Sequence, residues 1–170
     1  TVVGFPLGYS APAIKREEAR RAVQDGADEI DMVMNIGAFK GGELSTVRKE
    51  IDGVAGVCRT GGKILKVIIE CCYLTDDEKA KAARLAERLG ADYVKTSTGF
   101  GPSGATVDDV ALLHRSLAGT AKVKASGGIS TLDKALDMIQ AGADRIGTSS
   151  SVGIMDELAR RSRARRVKKR

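Results

Sequence analysis

Three lysines interrupt short apolar segments of this 170-residue chain: Lys66 in residues 64–70 (ILKVIIE), Lys95 in residues 93–99 (YVKTSTG) and Lys124 in residues 122–128 (KVKASGG). Each segment is rich in Val, Ile or Thr, as β-strands are. A lysine buried in such a strand is costly while charged, so burial lowers its pKa. A neutral amine attacks an aldehyde or ketone carbonyl and forms a Schiff base. For one such lysine alone, as at Lys95, a wall position with a paired ammonium is the better explanation. Three of them, with Asp31 in residues 29–35 (EIDMVMN) and Glu70, ask for a further reason.

Strand alternation puts these groups together. Ile30, Met32 and Met34 share one face of their strand, as do Leu65, Val67 and Ile69, then Val94 and Thr96, then Val123 and Ala125. The opposite face carries Asp31, Lys66, Glu70, Lys95 and Lys124. If the apolar face meets helices, the polar face lines an interior, where charges must be paired or neutralised. Neighbouring lysines depress one another's pKa, a route to an amine nucleophile.

The elements that would position them alternate along the chain. Strands are expected at 1–7, 29–35, 64–70, 93–98, 122–126 and 145–149. Helices are expected at 12–25, 43–59, 75–89, 106–117, 131–141 and from 152 onward. Thr75 and Glu78 form a capping box ahead of TDDEKAKAARLAERL. Gly26-Ala27-Asp28, Gly90-Ala91-Asp92 and Gly142-Ala143-Asp144 each stop a helix and lead into a strand. This repetition fits an α/β chain of the (β/α) barrel type, with an open doubly wound sheet as the other arrangement.

Two loops carry anion-binding signals. Residues 126–131 (SGGIST) leave one expected strand and enter a helix, and residues 147–150 (GTSS) leave the last strand. Glycine N–H groups and helix N-termini bind phosphate, and barrels often place that site after their last two strands. Residues 99–104 (GFGPSG) match G-x-G-x-x-G. The following strand offers no ribose-binding acid, and Pro102 removes an N–H, so nicotinamide binding is not expected.

Composition sets bounds. Hydrophobic residues make up 42% and charged residues 29%, ordinary for a globular domain, and no apolar run is long enough for a membrane span. The single histidine, His114, argues against a His-rich zinc site or a Ser-His-Asp triad. Cys58, Cys71 and Cys72 read as reduced thiols, with the adjacent pair on opposite faces of a strand. The net charge of +6 comes from residues 160–170, which hold eight of the 28 Lys and Arg and no acid. The expected division is therefore a barrel domain, 1–159, and a basic tail, 160–170.

The VKTSTG, VKASGG and GTSS motifs, with the VVGFPLG, EIDMVMN and LKVIIE segments, strongly resemble the deoxyribose-phosphate aldolase family. The resemblance runs to about residue 155. It implies a (β/α)8 TIM barrel and class I cleavage of 2-deoxy-D-ribose 5-phosphate to D-glyceraldehyde 3-phosphate and acetaldehyde, with no metal and no organic cofactor. It also implies roles. Lys95 forms the Schiff base. Lys124 holds a positive charge beside it, lowers its pKa and assists proton transfer. Asp31 orients water and relays protons. Thr98, Gly99, Gly127, Gly128, Ser149 and Ser150 surround the phosphate or sugar. The residues alone do not choose Lys95 over Lys66 or Lys124; that choice comes from the resemblance.

The family's barrel has eight strands and this chain offers six βα units, so its first two strands are expected to lie before Thr1. The expected partners are a small phosphorylated sugar and further copies of the chain, a dimer foremost, in the cytoplasm. Neither a membrane nor a nucleic acid is expected. Two alternatives are a related Schiff-base aldolase for another aldehyde, and a non-catalytic fragment binding acidic partners through its basic tail.

Overall fold

The computed structural model describes residues 1–167, with side chains through 164. Six parallel strands pair in sequence order: β1 (Val2–Val3), β2 (Glu29–Val33), β3 (Ile64–Ile68), β4 (Tyr93–Lys95), β5 (Lys122–Ser126) and β6 (Arg145–Gly147). Between and after them run α1 (Pro12–Gln24), α2 (Ile36–Lys40), α3 (Leu44–Gly61), α4 (Asp76–Arg88), α5 (Val107–Ser116), α6 (Leu132–Gln140) and α7 (Ser151–Val167). Parallel neighbours in chain order, each joined by a helical crossover, curl into a partial barrel. Six of the eight expected barrel strands are present, and the sheet is open between β1 and β6.

The expected helix-facing side chains do form the core. Ile30, Met32, Leu65, Val67, Val94, Val123 and Ala125 are fully buried against the helices. From α3, Val47, Ile51 and Val54 pack onto them at helical spacing. The capping box at Thr75 and Glu78 is complete, with both reciprocal bonds made. The Gly-Ala-Asp repeat also has a use. Each glycine adopts positive φ at a helix end. Asp92 then accepts from Leu65 N at 2.7 Å and Asp144 from Val123 N at 2.9 Å, pinning each incoming strand to the one before it.

Several boundaries differ from expectation. The first strand ends at Val3 because Gly4 turns to φ +62 and its carbonyl accepts from Gly8 N. Asn35 leaves the sheet to cap α2, a helix the sequence reading missed, by accepting from Ala38 N at 3.0 Å. Cys71 and Cys72 lie not on a strand but in a 3-10 turn, Cys71–Tyr73, because Glu70 adopts φ +53 and ends the extended run. The fourth strand stops at Lys95, although its chain continues beside β5 as the Thr96–Ser126 hydroxyl contacts below. At the other end α7 passes residue 160 without a break; residues 168–170 of the expected basic tail lie outside the described residues.

A buried ion pair fastens the helices behind β2. Lys15 of α1 and Glu50 of α3 are both fully buried, 2.6 Å apart. Lys15 also donates to Val33 O, and Glu50 accepts from Asn35 N. With these extra bonds the pair satisfies its charges, which burial alone would make expensive.

Candidate active site

The interior face of β2 to β5 brings four of the five sequence-predicted charges to one point; the fifth, Glu70, does not join them, because its backbone leaves the strand at φ +53 and its carboxyl accepts from Thr98. Asp31 accepts from Lys66 Nζ at 2.6 Å through Oδ1, and from Lys95 Nζ at 2.9 Å and Lys124 Nζ at 2.7 Å through Oδ2. Strand register makes this possible: Asp31 sits opposite Lys66, and Lys95 opposite Lys124. Asp31 and Lys95 are buried, and Lys124 is nearly so.

The electrostatics follow from burial and pairing. Burial alone would raise the Asp31 pKa, but hydrogen bonds from Lys124, Lys66 and Lys95 hold its carboxyl far below the ordinary carboxylate range. Burial draws the Lys124 pKa down. Its bond to Asp31 opposes this, and the charges of Lys95 and Lys66 reinforce it. Lys66 has a second partner, Glu29, at 2.6 Å. Glu29 also pairs with Arg145, whose guanidinium lies 4.7 Å from the centre of the Tyr93 ring. The Glu29–Arg145 pair thus joins β2 to β6 across the concave side of the sheet. The sequence reading passed over Glu29 and Arg145, although strand parity places Glu29 on the same face as Asp31.

Above Lys95 opens a cleft of about 510 Å³. Thr98, Gly99, Gly127, Gly128, Ser149 and Ser150, the six residues expected around a phosphate, all line it with Lys95. So do Ser126, Ser130 and Thr148, from the two loops expected to bind an anion, and Phe100, which the sequence reading did not assign. Asp31 and Lys124 lie at the base and are not part of the cleft wall. A larger hollow lies between α1 and α3, lined by Arg16, Arg20 and Arg59, far from this chemistry.

Hydroxyls set the shape of the cleft. Thr96 Oγ1 donates to Ser126 O and accepts from Ser126 N, each at 3.2 Å, while Ser126 Oγ donates to Ser97 O at 2.6 Å. These bonds zip the ends of the Lys95 and Lys124 strands. Thr148 Oγ1 donates to Ile129 O and accepts from Ser150 N, joining the two phosphate-type loops. Gly127 and Gly128 take φ +87 and +73, conformations open to glycine. The N–H groups of Gly99, Gly128 and Ser149 make no hydrogen bond to the described residues, which leaves them for a ligand.

The G-x-G-x-x-G residues form the loop after β4, and the first of them, Gly99, lines the cleft. Gly99 has φ +90. A Cβ on Gly101 would meet Cys72 Sγ at 2.7 Å, and one on Gly104 would meet Gly127 O at 2.2 Å. Gly101 therefore lets the loop after β4 lie against the turn after β3, and Gly104 lets it lie against the loop after β5.

Comparison with known proteins agrees with this architecture. Residues 6–155 match the family model described as DeoC/LacD family aldolase. A deoxyribose-phosphate aldolase of Thermococcus gammatolerans is 54% identical over 156 residues, covering 92% of this chain and 69% of the relative. One of Carboxydothermus hydrogenoformans is 54% identical over 162 residues, covering 93% and 70%. Among solved structures, the aldolase QR15 superposes with a TM-score of 0.89 at 46% identity, covering 95% of this chain and 72% of its own. A deoxyribose phosphate aldolase from Aeropyrum pernix, described as tetrameric, gives 0.84 at 34% identity, covering 94% and 67%. The chain belongs to the DeoC/LacD aldolase family, and its partial barrel is that of TIM-barrel aldolases.

Proposed function

We propose that this DeoC/LacD-family aldolase reversibly cleaves 2-deoxy-D-ribose 5-phosphate to D-glyceraldehyde 3-phosphate and acetaldehyde, with Lys95 as the Schiff-base lysine. The observation that carries the assignment is the placement of Lys95. Among the three interior lysines it is the one that both touches Asp31 and lines the glycine- and serine-rich cleft. Lys66 is held from two sides by Asp31 and Glu29, and Lys124 lies below the cleft wall.

The reaction follows from that geometry. The Lys95 amine, once it has given up a proton, adds to C1 of the open-chain sugar, and loss of water leaves an iminium. A base removes the proton of the C3 hydroxyl. The C2–C3 bond breaks, its electron pair passes into the iminium to give an enamine, and D-glyceraldehyde 3-phosphate departs. Protonation of the enamine at C2 and addition of water release acetaldehyde and free Lys95. The iminium is the electron sink. Lys124, with its pKa drawn down, supplies and withdraws protons through the oxygen of Asp31 that it shares with Lys95. Asp31 holds both amines in place and orients the water. The N–H groups of Gly99, Gly128 and Ser149, with the Ser149 and Ser150 hydroxyls, Gly127 and the start of α7, receive the 5-phosphate. Thr98, which also lines the cleft, steadies this loop, its own N–H and hydroxyl being engaged by Glu70.

Arg161, in the basic segment, is occupied by Asp133 and Glu157. We place the enzyme in the cytoplasm, on the support of three free cysteines, two of them buried. No helix among the described residues is long and apolar enough to cross a membrane. Assembly as a homo-oligomer, a dimer foremost, completes the reading; light scattering on the purified chain measures it.

The test is borohydride reduction in the presence of 2-deoxyribose 5-phosphate, followed by peptide mapping. A reduced adduct on Lys95 is expected. An adduct on Lys66 or Lys124 would overturn the assignment of roles, and its absence from all three would overturn the reaction.

A further inference from the structure

Glu70 stands behind the cleft and is used by none of the steps above. It follows β3 and is 2% exposed, yet the barrel lysines pair with Asp31 and Glu29 and not with it. A buried carboxyl without a cation is an expensive choice for a purely structural contact. Its backbone is equally unusual. Glu70 is the one non-glycine residue at positive φ among the described residues, at φ +53 and ψ +70. Side chains rarely accept that conformation, and when they do the surroundings have to enforce it.

What the conformation achieves is contact with the loop after the Schiff-base strand. The Glu70 carboxyl accepts from Thr98 N, 3.1 Å from Oε1 and 3.3 Å from Oε2, and from the Thr98 hydroxyl. Thr98 Oγ1 in turn accepts from Phe100 N at 3.0 Å. The N–H groups on either side of Gly99 are thus both directed into the protein, one by Glu70 and one by the hydroxyl that Glu70 holds. Gly99, at φ +90 between them, keeps its own N–H unbonded.

We propose that Glu70 is a positioning residue for phosphate recognition: by taking both donors of Thr98 it turns the loop so that Gly99 presents its N–H to the 5-phosphate. The proposal rests on the aldolase reading of the cleft. It assigns Glu70 to discrimination between phosphorylated and free sugar, not to the carbon–carbon bond chemistry at Lys95. Glu70→Gln has nearly the same shape but turns one acceptor oxygen into a donor NH2, which faces the N–H and O–H of Thr98. Thr98→Val removes the hydroxyl alone.

The experiment compares kcat/KM for 2-deoxyribose 5-phosphate and for unphosphorylated 2-deoxyribose in the parent chain and both variants. Alongside it, amide NMR follows Gly99 during titration with inorganic phosphate. In both variants the preference for the phosphorylated sugar falls by at least about tenfold, as a KM effect, because misplacing a binding group weakens what it orients. The Gly99 amide moves with phosphate in the parent and not in the variants. An equal loss on both sugars, an unchanged preference, or an unchanged phosphate response in folded Glu70→Gln would overturn the proposal. A parent chain whose Gly99 amide responds to phosphate but whose lysines form no adduct would refute the aldolase reading and leave the Glu70 contact standing as an anion-loop device.

Discussion

Lys95 and Lys124 donate to the same oxygen of Asp31, at 2.9 and 2.7 Å, from strands paired so that the two lysines lie directly opposite. One carboxylate oxygen thereby connects the proposed nucleophile with the group proposed to move its protons. The charge that holds Lys124 near Lys95 is the same charge that holds Lys95 beneath the cleft.

Removing Lys124 should separate nucleophile from proton relay. In Lys124→Leu, kcat should fall by about 10²–10⁴, the usual worth of positioned proton transfer. A reduced adduct should still map to Lys95, accumulating more slowly. Steady-state kinetics and timed borohydride trapping read the two effects independently.

Asp31→Asn should damage both activity and stability. The variant leaves Lys95 and Lys124 without a counter-charge and Lys66 with Glu29 alone. Stripping one partner from a buried charge cluster costs about 3–5 kcal/mol. Denaturant unfolding should show that loss, and turnover should fall even in the fraction that remains folded.

Gly104→Ala tests the contact between the two loops that line the cleft. Its Cβ would lie 2.2 Å from Gly127 O, a backbone atom with no side chain to swing aside. The loops must part. KM for the phosphorylated sugar should rise about tenfold or more, with a stability loss of about 1–3 kcal/mol.

Glu87 offers a pH test remote from catalysis. It accepts the N–H groups of Ala118, Gly119, Thr120 and Ala121, tying α4 to the turn before β5. Burial would raise its pKa, but those bonds and the Thr120 hydroxyl lower it from 4.5 to about 2. A carboxyl whose folded pKa is depressed stabilises fully above its unfolded value and loses that contribution as pH falls through the folded one. Glu87→Gln should therefore cost about 3 kcal/mol at pH 7, and the gap to the parent should close between pH 4.5 and 2. Chemical denaturation across that range measures it.

The alternation of strands and helices, the apolar face of each strand and the meeting of Asp31 with three lysines were all legible in the sequence. Each depends on a local period: side chains two apart share a strand face, and glycines and capping residues mark helix ends nearby. The glycine and serine turns were legible for the same reason, since tight turns of this kind advertise themselves by small residues. Local pattern did not reveal how Glu70 reaches across 28 residues to Thr98, how Lys15 finds Glu50, or why Gly104 must be a glycine. Nor could it choose among Lys66, Lys95 and Lys124 without a resemblance. Those outcomes depend on strand register and on which loops the barrel's curvature presses together. Two residues far apart in the chain carry no mark of their meeting until the folded sheet sets the distance between them.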